Sequence, residues 1–334
     1  MEKKIIEQFK KLEKEIKNAK KVLLLGHRAP DGDAIGGLLS LNSYLKSLRK
    51  ETYIFSSQPP KYLDFLPEYK DIKKKKPKKN DFDLILALDY ADERRIDISA
   101  NFSIDKNKVI SIDHHISGKR TGKIKIVSAS ASSVCEMIYY FLKMAGIKIN
   151  KEIANYLLVG IFTDTVGFTR LPEREDIKEV IVDLIKKGAN LKKITSSYHH
   201  ISYLQSKVLE RFLSRAKWDK KLNIIYSWIS YEDFSELRER IYKKKKPSEL
   251  FLQEPPVFPD FLARVGEADV YVFLVKLKKE KIKVSLRSSS EIDVAKISEI
   301  WGGGGHKEAA GFFTKGTVKE VMHLLKNELK KQKK

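Results

Sequence analysis

Cysteine is nearly absent: the 334 residues hold one, Cys135, inside an apolar stretch that reads as core. A single thiol excludes an intramolecular disulfide framework and any multi-thiolate zinc or iron–sulfur site. Long apolar runs are missing too. Nothing approaches the roughly eighteen uninterrupted apolar residues of a membrane-spanning helix. The opening MEKKIIEQFKKLEKEIKNAK is charged throughout and lacks the apolar block of a secretory signal. The expectation is a soluble, cytoplasmic protein with no membrane association.

Anionic residues are outnumbered: 66 Lys and Arg face 44 Asp and Glu, a net charge of +22. Such a balance attracts phosphates, but it also fits the Lys- and Glu-rich surface ion pairs of heat-adapted proteins. The two densest runs, Lys73–Lys76 and Lys243–Lys246, each run straight into a proline, which describes solvated loops. No zinc finger or basic zipper helix is present. The proline-rich stretch Lys243–Pro259 has no functional reading.

An apolar content of 42% over this length predicts real cores and about two domains of roughly 150 residues each. Residues 2–20 space Ile5, Phe9, Leu12, Ile16 and Ala19 as one helix face. Strand-like KVLLLGH, ETYIFS, DLILALD and KVISID then alternate with helical AIGGLLSLNSYLKSL, SSVCEMIYYFLKMAG and KEIANYLLVGIFTD, predicting a parallel sheet covered on both faces. Glu175 to Trp218 reads as helical with a break at Gly188-Ala189-Asn190, and NIIYSWI, ADVYVFLVKLK and KIKVSLRS beyond it read as strands. The expected architecture is α/β: an N-terminal parallel-sheet domain over 1–185, a helical connector over 186–217, and a smaller C-terminal α/β domain over 218–334.

Four separated segments end an apolar strand or helix in Asp or His: GHRAPDGD (His27, Asp31, Asp33), LILALDYAD (Asp89), VISIDHH (Asp113, His114, His115) and VGIFTDT (Asp164). The carboxyl ends of strands in an open parallel sheet line one crevice, so these residues should converge. One such Asp alone is an ordinary helix cap, and His199-His200, with no carboxylate beside it, reads as a polar helix end. Four acidic ends in this order exceed what capping explains. Five carboxylates at close range require protons or cations. Mixed His and Asp ligands suit two Mn²⁺, with Mg²⁺, Co²⁺ or Zn²⁺ as lesser fits, and Asp89 is placed to bridge them. A water held by both ions would lose its proton near neutral pH and become a nucleophile.

The second constellation is WGGGGHKEAAGF with VSLRS upstream. Four glycines expose backbone N–H groups, as phosphate-cradling turns do. Alone, such a run is a flexible turn. Between a strand and the small-residue helix start KEAAG it reads as a binding turn, where Arg287 can grip a phosphate, Ser288 can add a hydroxyl, and His306 can donate to phosphate or pack on a base.

Together these motifs resemble the DHH phosphoesterase superfamily, in its small members with a DHH-associated C-terminal domain: nanoRNases (oligoribonucleases), pAp phosphatases and cyclic-di-AMP or linear dinucleotide phosphodiesterases. The resemblance covers nearly the whole chain. It implies that His27, Asp31 and Asp89 hold one Mn²⁺, and that Asp33, Asp89, His114 and Asp164 hold the other. It further implies that Asp113 supports the ligands without touching a metal and that His115 faces the scissile phosphate. Arg287, Ser288 and the Gly302–His306 loop, with Gly303, Gly304 and Gly305, match the substrate motif of a C-terminal domain that closes over the metal cleft, where the active site lies. A serine that often follows the first motif's glycine is replaced by Gly36-Gly37.

The implied function is Mn-dependent hydrolysis of short nucleotides (nanoRNA, pApA, pAp) to 5′-mononucleotides by a homodimer, with cyclic-di-AMP hydrolysis as the alternative. Inorganic pyrophosphatase is disfavoured by the GGGGH loop, a non-catalytic nucleotide sensor by the complete ligand set, and polyphosphate exophosphatase is a minor reading. The absence of a strand-gripping domain argues against a long-strand exonuclease.

Overall fold

The computed structural model describes residues 2–77, 81–97, 104–115, 118–242, 257–277, 281–289 and 291–332. The Lys243–Lys246 run and most of Lys243–Pro259 therefore lie outside the described residues. Two compact units divide the chain between His200 and Ile201, within the segment expected to connect them.

The first unit contains, in order, α1 (Lys3–Asn18), β1 (Lys21–Leu25), α2 (Gly32–Ser47), β2 (Glu51–Phe55), β3 (Leu84–Leu88), β4 (Val109–Asp113), β5 (Ile124–Val127), α3 (Val134–Met144), α4 (Lys151–Asp164), α5 (Glu175–Lys186) and α6 (Leu191–His199). Its five strands are parallel and ordered β2-β1-β3-β4-β5. Strand β1 shows why KVLLL is uninterrupted. Val22 and Leu24 enter a large cluster with Ile5, Phe9, Leu12 and Ile16 of α1 and with residues of α2 to α6, whereas Leu23 and Leu25 point the other way.

That other face differs from the expectation of helices on both sides. It is closed by Phe82, Tyr90 and Ile96 from loops, together with Phe55, Ile85 and Val109. The helices α1 to α4 all pack on one side because each carries a single broad apolar face that only the larger cluster can absorb. Strand β5, unread in the sequence, is short and half exposed, and so has little apolar signal.

Helices α2 and α4 cross at unusually close range. A Cβ on Gly36 would overlap the Tyr156 carbonyl, and one on Gly160 would overlap the Cys135 sulfur. The glycines of the first motif therefore let two backbones touch, and the buried Cys135 thiol fills the remaining space as a packing group.

The second unit contains α7 (Tyr203–Ser214), β6 (Lys217–Asp219), β7 (Ile224–Ser230), α8 (Tyr231–Tyr242), α9 (Val257–Ala263), β8 (Val270–Lys276), β9 (Lys281–Ser288), α10 (Val294–Glu299), β10 (Gly304–His306), β11 (Ala309–Lys315) and α11 (Val318–Gln332). Its sheet is ordered β10-β11-β9-β8-β7-β6, with only the β7–β8 pair parallel. Alternation sorts the strands cleanly. Val270, Val272 and Leu274 pack with α10 and α11, and Tyr271, Phe273 and Val275 pack with α7, α8 and α9. The expected helix start at KEAAG is instead strand β11, because Ala310 and Phe312 alternate into the core beside β9 and two-residue periodicity overrides the helix propensity of alanine.

Substituting Gly36 by Ala should destabilise the protein by about 1–3 kcal/mol, the usual cost of overpacking a tight contact. Urea unfolding of the two proteins measures it. A variant as stable as the parent would show that the α2–α4 contact is not a constraint.

Candidate metal centre

The strand order 2-1-3-4-5 reverses direction between β1 and β3, which is the switch point where open α/β sheets bind ligands. His27 follows β1, Asp89 follows β3, and His114 and His115 follow β4, so all lie at the carboxyl ends around that point. The turns are held rigidly. The Arg28 amide donates to the Arg95 carbonyl at 2.8 Å, and the Asp97 amide donates to the Gly26 carbonyl at 3.0 Å. Asp97 in turn accepts from the Ser57 amide and hydroxyl. Asp89 adopts the left-handed region at φ 52°, an uncommon conformation for a non-glycine residue that accompanies functional turns.

Asp31 does two things. Its Oδ1 caps α2 by accepting the Asp33 and Ala34 amides, while its Oδ2 lies 3.8 Å from His27 Nε2. One side chain thus caps the helix and also joins the candidate cluster. Asp33 is fully buried and accepts the Val134 and Cys135 amides at the start of α3. Asp164, the last residue of α4, brings Oδ2 to 3.1 Å from His114 Nε2.

All eight predicted residues of this unit meet in one crevice. Ligand atoms of His27, Asp31 and Asp89 lie within 4.8 Å of one another, as do those of Asp33, Asp89 and His114. Asp89 belongs to both groups, with His27 and His114 each 3.7 Å away. His199 and His200 sit exposed at the end of α6, as the bland reading anticipates.

Asp113 has its oxygens occupied by protein. Oδ2 accepts the Ala91 amide at 2.7 Å and Arg120 Nε at 3.3 Å; Oδ1 accepts the His115 amide at 3.0 Å and lies 2.9 Å from His115 Nδ1. Arg120, buried, also donates to the Gly118 and His115 carbonyls. Sequence reading missed this arginine, because nothing in GKRTG marks it beyond the flanking glycines.

The electrostatics follow from burial. It pushes the Asp89 carboxyl well above the usual range, and the Asp31, Asp33, Asp164 and Asp113 carboxylates push the same way. Asp164 is pushed up to about 8 by burial; the charge of His114 pulls it down, and the Asp33, Asp31 and Asp113 carboxylates add to the rise. Asp113 goes the other way, because the His115 ring and the Arg120 guanidinium outweigh its burial and hold it far below the usual range. Burial opposes a charged His114, but the Asp164, Asp33 and Asp113 carboxylates raise it. Burial lowers His115 to about 4.

One atom tests whether a cation fits. Asp89 Oδ1 is buried and accepts no hydrogen bond among the described residues. An orphaned carboxylate oxygen shared by two His/Asp groups is costly without a positive partner, and imidazole nitrogens with carboxylate oxygens are the donors a divalent transition cation takes. The residues fit.

In the second unit, strand register sets Arg287, Ala309 and His306 side by side across β9, β11 and β10. Direct partners share a face, so Arg287 and His306 flank the small Ala309. Ser288 differs from expectation: as the next residue on β9 it leaves the opposite face, and it is buried. The glycine run is also no open cradle. The Gly302 and Gly303 amides donate to the Glu299 and Ser298 carbonyls and so terminate α10, while Gly304 and Gly305 pair with Gly311 and Ala310. A Cβ on Gly303 or Gly305 would overlap the Gly311 or Ala309 carbonyl, so these glycines serve close strand packing.

Comparison with known proteins agrees with the motifs. The DHH family, N-terminal domain, matches residues 21–161, and the DHHA1 domain matches residues 258–332. The bifunctional oligoribonuclease and PAP phosphatase NrnA of Thermus thermophilus is 28% identical over 316 residues, covering 92% of this chain and 90% of the relative. The Bacillus subtilis protein of the same description is 26% identical, covering 87% and 88%. A crystal structure of an exopolyphosphatase-related protein from Bacteroides fragilis superposes with TM-score 0.80 at 26% identity, covering 98% of this chain and 96% of that one.

The raised groups fix a pH dependence. From pH 6.5 toward 8 the folded, metal-free protein keeps on Asp164 a proton that the unfolded chain has released, and His114 holds its proton more tightly than an unfolded histidine does, so stability falls as pH rises through this window. Asp113 is ionised in both states there; His115, uncharged when folded, opposes the fall in part near pH 6.5, where an unfolded histidine is about half protonated, and this opposition fades toward pH 8. Chelator-treated protein should show a melting temperature that drops from pH 6.5 to 8, and Mn²⁺ should reverse the drop. A melting temperature that rises across this window without metal would contradict the arrangement.

Proposed function

The chain belongs to the DHH superfamily, and we propose that it is a metal-dependent phosphoesterase that hydrolyses short oligoribonucleotides, pApA and pAp to 5′-mononucleotides. The observation that carries this reading is the double membership of Asp89: one buried carboxylate common to a His27/Asp31 group and an Asp33/His114 group. The family relationship and the oligoribonuclease and PAP phosphatase relatives support the substrate class.

In this reading His27, Asp31 and Asp89 would hold one divalent cation, and Asp33, Asp89, His114 and Asp164 would hold a second, with Mn²⁺ as the preferred ion. Such cations, when bound, polarise a phosphoryl oxygen and make water acidic enough to attack phosphorus near neutral pH. The chain's own residues do the rest. Asp113, pinned by Arg120 and the Ala91 amide, accepts from His115 Nδ1 and thereby fixes the ring's tautomer and direction. The proton of the neutral ring then sits on Nδ1, and Nε2 carries the lone pair that can take a proton from water and return it to the departing nucleoside oxygen. The Arg287 guanidinium grips a terminal phosphate of the nucleotide with parallel N–H groups, and His306, in the same row, donates beside it. The glycines 303–305 bring β10 close enough to β11 to keep that row compact.

Product analysis with a triribonucleotide, pApA, pAp, cyclic-di-AMP and pyrophosphate at equal concentration tests the assignment. Mononucleotide should appear from the first three and pyrophosphate should persist; rapid loss of pyrophosphate with intact nucleotides would replace this reading. Asp89→Ala should lower kcat by at least a hundredfold and reduce bound Mn²⁺ from two per chain toward zero, as metal analysis of the dialysed protein will show. Arg287→Ala should raise KM about tenfold with metal content unchanged. Loss of metal in that variant would remove Arg287 from the substrate role.

A further inference from the structure

On the face of the C-terminal sheet opposite Arg287 and His306, α11 leaves a gap beside β6 and β7. Arg287 pairs with Tyr271, which packs toward α7, α8 and α9, whereas Tyr226 and Trp228 pack toward α10 and α11. The gap is an open groove of about 1220 Å³. Tyr226 and Trp228 form its apolar wall, with Lys217, Lys315, Lys319 and Lys326 around them.

The charge in this groove is largely uncompensated. Its one lining carboxylate, Glu320, is spent on capping α11, where it accepts the Thr317 amide at 2.8 Å and the Thr317 hydroxyl at 3.0 Å. Lys326 pairs with Asp219 at 2.7 Å and lies 5.0 Å from the centre of the Tyr226 ring. Among the described residues no carboxylate lies within ion-pairing distance of Lys217, Lys315 or Lys319; Lys217 instead sits 5.5 Å from the Trp228 ring centre. Lys319, His323 and Lys326 recur at four- and three-residue steps along one side of α11, spanning about 10 Å of helix.

A row of cations beside aromatic rings is the surface that binds a single-stranded nucleic acid without regard to sequence: the cations follow the backbone phosphates and the rings meet the bases. We propose that this groove is a second nucleic-acid site, which grips single-stranded RNA several nucleotides long on a surface apart from the Arg287–His306 row. The proposal concerns binding alone and does not rest on the hydrolytic reading.

The test uses the full chain in EDTA, so that hydrolysis plays no part, and reads the anisotropy of a fluorescein-labelled twelve-nucleotide RNA. The Lys315→Glu/Lys319→Glu variant alters two exposed side chains and should bind at least tenfold more weakly. Its salt dependence, the slope of log K against log salt, should be shallower by about 1.4, at about 0.7 per lost phosphate contact on a single strand. Lys3→Glu/Lys4→Glu on α1 changes net charge equally and should stay within twofold of the parent. Equal weakening in both variants, no weakening in the groove variant, or no binding by the parent would overturn the proposal. So would inorganic polyphosphate of matched charge competing as well as the RNA, since the aromatic wall would then contribute nothing.

Discussion

Carboxylates crowded into a desolvated hollow repel one another, and this repulsion organises the first unit. Asp31, Asp33, Asp89, Asp113 and Asp164 come from four separated segments of the chain, and no arrangement of a dry crevice tolerates five anions without compensation. The protein supplies part of it. Asp113 is neutralised by Arg120 and backbone amides, Asp33 is held by the two amides at the start of α3, and Asp31 is partly spent on its helix. Asp89 is left with a buried oxygen that nothing in the described residues satisfies. The chemistry follows from that residual deficit.

The fold concentrates the deficit at one point. A parallel sheet delivers the ends of all its strands to the same edge, and the reversal between β1 and β3 opens the space there. The second unit is built on another plan, an antiparallel-rich sheet between two helical layers, and it presents arginine and histidine in a row, with no metal-holding acidic cluster among its described residues. In the proposed reading, one unit would attract cations and the other phosphate.

The first unit was legible because its signals are local and redundant. KVLLLGH, DLILALD and KVISID each pair a short, mostly apolar run with a terminal His or Asp, and such runs have few ways to pack. The second unit was harder. GGGGHKEAAGF carries an honest turn signature and an honest helix signature, yet forms a hairpin, because pairing with β9 is a long-range contact that no short window contains. Ser288 illustrates the same limit: adjacency to Arg287 suggested shared work, but alternation along a strand sends neighbours to opposite faces. Arg120 was invisible because a buried arginine is recognised by its partners, which lie both in the motif and outside it.

The contact between α2 and α4 also sets the spacing of the candidate ligands at their ends. Gly32, beside Asp31, has no room even for a methyl group against Thr163, which precedes Asp164. The start of one helix and the end of the other are thus clenched together, and the carboxylates they carry form a jaw of fixed bite. Any divalent cation proposed for this centre would therefore be met by carboxylates whose spacing helix packing sets.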